Sequence, residues 1–198
     1  MDFQDVVRRR RMVRRFTAEP VDEPSLRRIL RNATRGPSAG FSQGQEFLVL
    51  RDAELARFWE VAAEAVGDSV TTAPLVIVPL AVKDAYLGRY ARADKGWTDR
   101  DEARWPVPFW YIDTGMAALL ILQTAVDEGL GALYFGIVPE AVDRFRSVFG
   151  VPASHDPIGA IAIGHSDEAE PAAAASVRRV ARRAAEEVIH YGRWRGSQ

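Results

Sequence analysis

The sequence predicts a globular domain in which short apolar strands alternate with helices around a shared core. Three observations carry that prediction. First, residues 47–50, 75–82, 132–135 and 158–163 are short apolar runs of strand length, and 75–82 is nearly unbroken, the type buried on both faces of a sheet. Second, the segments between them show helical spacing: Leu26, Ile29, Leu30 and Ala33 in one, and Leu55, Phe58, Trp59, Ala62 and Val66 in another. Third, residues 113–128 read as a helix with Met116, Ala117, Ala118, Leu119, Leu120, Ile121 and Leu122 in succession. A helix without a polar face cannot stand in water, so it is central or lies between subunits.

The chain begins with a concentration of charge. Six arginines (8, 9, 10, 11, 14 and 15) fall within nine positions of a protein whose formal net charge is only -1. Ahead of them Phe3, Val6 and Val7 have helical spacing, and the same stripe continues to Arg10 and Arg14. If the chain turns extended after Arg11, then Met12, Arg14 and Phe16 share a face. In either register Arg14 shares a face with apolar residues. A guanidinium so placed needs an anion, and its fork of donors suits a phosphate or carboxylate.

A helix start follows at Asp22-Glu23-Pro24-Ser25, with Asp22 as cap and Pro24 in the first turn, and Gly36-Pro37 stops that helix. Residues 37–45 form a loop of small and polar residues, followed by the first strand and a helix over 54–66. Over 83–108 periodicity fades, while Tyr86, Tyr90, Trp97 and Trp105 stand among many charges. So long a connection is a lid or substrate excursion, or an insertion whose aromatics anchor it to the body. Gly129-Leu130-Gly131 ends the apolar helix, and a helix over 139–149 starts at Pro139. Residues 165–176 read as a low-complexity linker, and 177–198 as a basic segment with Val188, Ile189, Tyr191 and Trp194 that must dock, across a partner if the linker reaches.

Composition removes several classes of function. Hydrophobic residues at 47% and charged residues at 27% are the balance of a soluble globular chain. With no cysteine, thiolate chemistry, disulfides and Cys-ligated metals are out, which suits a reducing cytoplasm. No secretory signal is visible, and the longest apolar runs fall short of the roughly 20 residues that span a bilayer. A pI near 6.3 and the lack of aromatics within the arginine cluster argue against a nucleic-acid partner.

Gly36-Pro37-Ser38-Ala39-Gly40 has the letters of a nucleophile elbow, but a helix precedes it and a strand follows, the reverse of what that turn needs. Gly129-x-Gly131 lacks the third glycine of a dinucleotide fingerprint, and the three scattered histidines offer no metal site.

Several segments together resemble the nitroreductase family of FMN-dependent oxidoreductases. Arg10-Arg11-Met12-Val13-Arg14-Arg15-Phe16 resembles its Arg-Arg/His-Ser-x-Arg/Lys-x-Phe segment, and residues 37–45 its Pro-Ser-x-x-Asn-x-Gln-Pro-Trp signature. Residues 116–131 resemble its central helix ending in Gly-Leu-Gly, 133–136 the strand and glycine after it, and 182–194 its C-terminal Glu-Glu-Val-x-His segment with a late Trp.

The resemblance implies an α+β nitroreductase-like fold with a central mixed sheet flanked by helices, one domain over 1–198, in an intertwined homodimer. One FMN would lie at each of two interface sites, with NAD(P)H as co-substrate. Arg10, Arg11, Met12 and Arg14 would line the flavin, and Arg182 would approach its phosphate. Pro37, Ser38, Ala39 and Phe41 would come from the other subunit. Phe135 would lie beside Gly136, whose N–H would face flavin N5, where hydride arrives. The chain departs from the pattern at Met12 for Ser, Phe41 for Asn, and Gly44-Gln45 for Pro-Trp.

The implied reaction is ping-pong hydride transfer from NAD(P)H through FMN to a flat hydrophobic acceptor such as a nitroaromatic, quinone or enone. The alternatives are special redox chemistry within the family (dehalogenation, product oxidation, deazaflavin use) or flavin binding without turnover. The remaining expectations are a cytoplasmic protein with no metal, nucleic acid or membrane partner.

Overall fold

The central sheet has strand order β1-β2-β5-β3, with the two-residue β4 paired to β2 (β1 Gln45–Arg51, β2 Leu75–Ala81, β3 Gly131–Phe135, β4 Asp156–Pro157, β5 Ala160–Gly164). It belongs to a computed structural model that describes residues 1–168 and 180–194. All named strands pair antiparallel; the parallel component is the bridge of Met12 to Ala132 at the β3 edge. The α+β architecture expected from the sequence is present.

Side-chain alternation explains why both faces are covered. In β2, Val76, Val78 and Leu80 point to one face, where they meet Phe58 of α3 (Ala53–Ala62) and Phe145 of α6 (Pro139–Phe149). Leu75 and Ile77 point to the other, against α2 (Glu23–Ala33) and α5 (Phe109–Asp127) through Ile29, Ala33, Ala118 and Ile121. In β5, Ala160 and Ala162 face the first layer and Ile161 and Ile163 the second. This period of two is that of a sheet buried on both sides.

Local signals set the helix ends. Asp2 caps α1 (Phe3–Arg9) by accepting the Gln4 N–H at 2.9 Å, and Asp22 caps α2 by accepting that of Ser25 at 2.8 Å. Gly150, at φ 67°, closes α6 in the left-handed conformation that glycine adopts at least cost.

Three expectations shift. The helix from Phe3 ends at Arg9, so the arginine cluster is split between a helix and an extended segment. Part of the aperiodic excursion forms α4 (Lys83–Tyr90), because Tyr86 and Leu87 find a buried face there. The apolar helix begins at Phe109, four residues early, and α5 is long and apolar enough by length and composition to cross a membrane. Half of it is instead buried within the chain, while Ile112, Met116 and Leu119 form an exposed stripe.

The chain divides into a body, Met1–Asp167, and a C-terminal unit, Glu168–Gln198. The described part of the latter holds α7 (Ala185–Val188), an Arg183–Glu187 ion pair, and His190 packed on Trp194 at 4.1 Å between ring centroids. Val188, Ile189, Tyr191 and Trp194 are all exposed. The low-complexity stretch called a linker lies mostly outside the described residues.

Candidate active site

The segment after α1 is an edge ribbon. The Val13 N–H donates to Ala132 O at 2.9 Å, Phe16 bridges Ser166, and the Thr17 N–H donates to His165 O at 2.9 Å. Val13 and Phe16 are each 4% exposed and key the ribbon into the core. Gly131 permits this close approach: a Cβ there would lie 2.9 Å from both Val13 methyls. Tyr134 donates its N–H to the Met12 Sδ at 3.4 Å, so the thioether packs on β3 where the family pattern has a hydroxyl.

Held this way, Arg14 lines an open cleft of about 300 Å³ with residues 64–67, Val70 and Leu133–Phe135 of β3. Arg14 is exposed to the cleft rather than buried, and its Nη1 donates to Met12 O at 3.3 Å. Ser69 Oγ donates to Arg14 O at 2.9 Å, tying the 67–70 turn to the ribbon. Val70, Leu133 and Phe135 lie nearly buried beneath the cleft, whose accessible surface is mostly polar, and Trp59 stacks on Phe135 at 6.0 Å. Gly136 follows β3 at the surface, and a Cβ there would meet nothing within 4 Å, so its backbone is open to a flat ligand.

A guanidinium beside the end of a strand and open backbone suits a flat ring with an electron-rich edge. These residues fit the isoalloxazine of FMN; Arg14 would hold its polar edge and Leu133–Phe135 its face. The turn at 64–70 went unrecognised in the sequence, where no residue in Glu64-Ala65-Val66-Gly67 carries a binding signature.

The remaining expected residues are distributed. Arg11 lines a different cleft of about 200 Å³ with Arg9, Val13 and Gly129, on the other side of the ribbon from Arg14. Arg10 is half-buried at the α1 C-terminus, its N–H donating to Val6 O at 2.9 Å. Arg182 is exposed in the C-terminal unit. Within the body, Arg11 and Arg14 thus line different clefts.

Pro37, Ser38, Ala39 and Phe41 form a second group, on a loop packed against α4 and α5. Phe41 is 75% exposed at φ 55°, and the loop borders a cleft of about 540 Å³ with Asp84, Gly88, Arg89 and Arg92. Neither Phe41 nor its neighbours line the Arg14 cleft. Behind the loop Tyr86, Tyr90, Trp97, Trp105, Phe109 and Trp110 pack edge to face or tilted, with centroids 4.5–6.3 Å apart. The excursion's aromatics therefore anchor it to the body and to this loop. Among the described residues no cluster of His, Asp and Glu could hold a metal ion.

The chain is similar to known proteins along most of its length. A protein of Thermus thermophilus called NADH dehydrogenase is 34% identical, over 85% of this chain and 88% of its own. The solved structure of nitroreductase A from Vibrio parahaemolyticus superposes with a TM-score of 0.76 at 18% identity, over 99% of this chain and 77% of that one. A structure from Clostridium difficile described as an FMN-dependent nitroreductase matches with a TM-score of 0.70 at 24% identity, over 96% of this chain and 98% of that one. Residues 7–165, the body with its ribbon, sheet and flanking helices, match the Nitroreductase family, and the chain belongs to that family.

Proposed function

We propose that this protein is a homodimeric, FMN-dependent NAD(P)H oxidoreductase that reduces a flat hydrophobic acceptor. The observation that carries the reading is the Arg14 cleft, where a guanidinium meets the end of β3 at Leu133–Phe135, one residue before the open backbone of Gly136. FMN, when bound, supplies the acceptance of hydride at N5 and its return to a second substrate; the chemistry is the cofactor's. This chain's residues bind and orient it. Arg14 places positive charge at the ring's polar edge, where reduction develops negative charge. Leu133 and Phe135 keep water from one ring face, and the Gly136 N–H is the backbone donor nearest the open end of β3.

Dimerisation completes the site in this reading. The stripe of Ile112, Met116 and Leu119 on α5, with exposed Phe3 and Val7 on α1, supports a second copy covering that face. The separation of Pro37–Phe41 from the Arg14 cleft supports those residues serving the partner's flavin, with Phe41 as an aromatic wall. On the family pattern Arg10, Arg11 and Arg14 together serve the flavin phosphate, ribityl chain and pyrimidine edge, and Arg182 approaches the phosphate. One site then serves both substrates in turn, in keeping with a sequence without a separate dinucleotide motif.

The test is the visible spectrum of protein reconstituted with FMN and desalted, before and after anaerobic NADH or NADPH. Retained flavin absorbance that bleaches on addition is expected. A colourless product without measurable FMN affinity would sink the reading, and bound flavin that neither nucleotide bleaches would leave a flavin-binding protein without turnover.

A further inference from the structure

The 38–43 loop rests on a buried carboxylate that lies outside the motifs quoted above. Asp113, near the start of α5, is 4% exposed, and its Oδ2 accepts the Ala39 N–H at 2.8 Å and the Tyr86 hydroxyl at 2.9 Å. No cationic side chain pairs with it among the described residues. A buried carboxylate is costly without such donors, so its presence in this mostly apolar helix needs a reason. Tyr86 is fully buried, and burial pushes its phenol above the ordinary 10, so it remains a donor.

The rest of the loop is fixed as tightly. Arg89 Nε donates to Gly40 O at 2.9 Å, the Gln43 N–H to Ser38 Oγ at 2.7 Å, and Ser42 Oγ to Ala39 O at 2.6 Å. A Cβ on Gly44 would lie 2.4 Å from the Tyr86 ring, and one on Gly40 2.5 Å from that of Tyr90, so backbone and rings are already in contact. Within this frame Phe41 and Gln43 sit at φ 55° and 52°. Non-glycine residues persist there only where their surroundings over-determine the backbone. Here the strain turns a large aromatic outward.

We propose that Asp113, acting through Ala39 and Tyr86, is the positioning residue that sets the pose of Phe41 and hence the fit of the 37–41 loop over flavin. The proposal rests on the reading that this loop is a flavin wall. Both donors converge on one oxygen, so a neutral acceptor of the same shape suffices.

The experiment compares Asp113→Asn with Asp113→Leu, and with Asp113→Ser should leucine fail to fold; serine is too short to reach the loop. Two readouts are taken: hydrogen exchange at the Ala39 amide in the FMN-free protein, and the FMN dissociation constant by fluorescence. Asparagine is expected to keep amide protection and to hold the dissociation constant within about threefold, while leucine or serine loses protection and weakens FMN by about tenfold or more. Unchanged Ala39 protection in the leucine or serine variant would overturn the clamp itself. Lost protection with unchanged FMN affinity would overturn the loop's assignment to flavin, a separate failure. An asparagine variant as impaired as leucine would mean that the charge, not the acceptor, matters, and would refute positioning.

Discussion

Arg14→Ala and Arg15→Ala delete the same charge from adjacent positions of one ribbon, and the structure separates their consequences. Arg14 lines the cleft with Phe135, whereas Arg15 pairs with Asp167 at 3.3 Å, with side chains 62% and 57% exposed. A hydrogen bond to a charged group contributes about 1.5–3 kcal/mol, so loss of the Arg14 contact should weaken FMN roughly ten- to a hundred-fold. The exposed Arg15 pair contributes at most ~1 kcal/mol, and to the fold rather than the ligand, so its loss should change affinity by less than about threefold. Charge lost at long range acts on both variants alike and is damped at 0.15 M salt, where the screening length is about 8 Å. Titration of flavin-free protein with FMN at that ionic strength, read by fluorescence, measures both constants. Equal constants would refute the reasoning and reduce the cluster to a basic surface.

Two further expectations come from other parts of the fold. Leu119→Lys places an ammonium on the exposed α5 stripe, a small change for a monomer but a buried charge at a two-fold contact; light scattering should report dissociation with helicity unchanged, and an unaltered dimer would exclude that face as the interface. Glu128 bonds Arg28 and Ser25 at the end of α5, and the Arg28 guanidinium, aided by the Ser25 hydroxyl, holds its carboxyl below the ordinary 4.5. Because the folded-state value is depressed, this stabilisation is present above pH 4.5 and fades as pH falls through the folded value. Glu128→Gln should therefore lower Tm near neutrality, with the gap closing in acid; a calorimetric gap independent of pH would refute the assignment.

Some elements were legible because their signals are local. Pro139 and Gly150 bracket α6 with the residues that start and stop helices at least cost, so the helix over 139–149 is fixed by local signals. Asp22 and Pro24 mark the start of α2 in the same local way. The strand 75–82 was legible because β2 is buried on both faces and so carries no polar alternation. By contrast, α4 was missed because its buried face consists of only Tyr86 and Leu87, too few to make a period. The start of α5 was misplaced because Phe109 and Trp110 belong to the aromatic cluster of the excursion, a partnership made in space.

The candidate site divides along the same line. The sequence by itself singled out Arg14 as a cation that both backbone registers place on a face with apolar residues, and the order of its motifs carried the family. Only the tertiary structure decided that Arg11 and Arg14 line different clefts, because an extended ribbon sends successive side chains to opposite sides. The turn at 64–70 and the Asp113–Tyr86–Ala39 contact likewise join residues up to 74 positions apart. Their chemistry is ordinary residue by residue, and it becomes a site only when the sheet and α5 bring distant backbone within hydrogen-bonding reach.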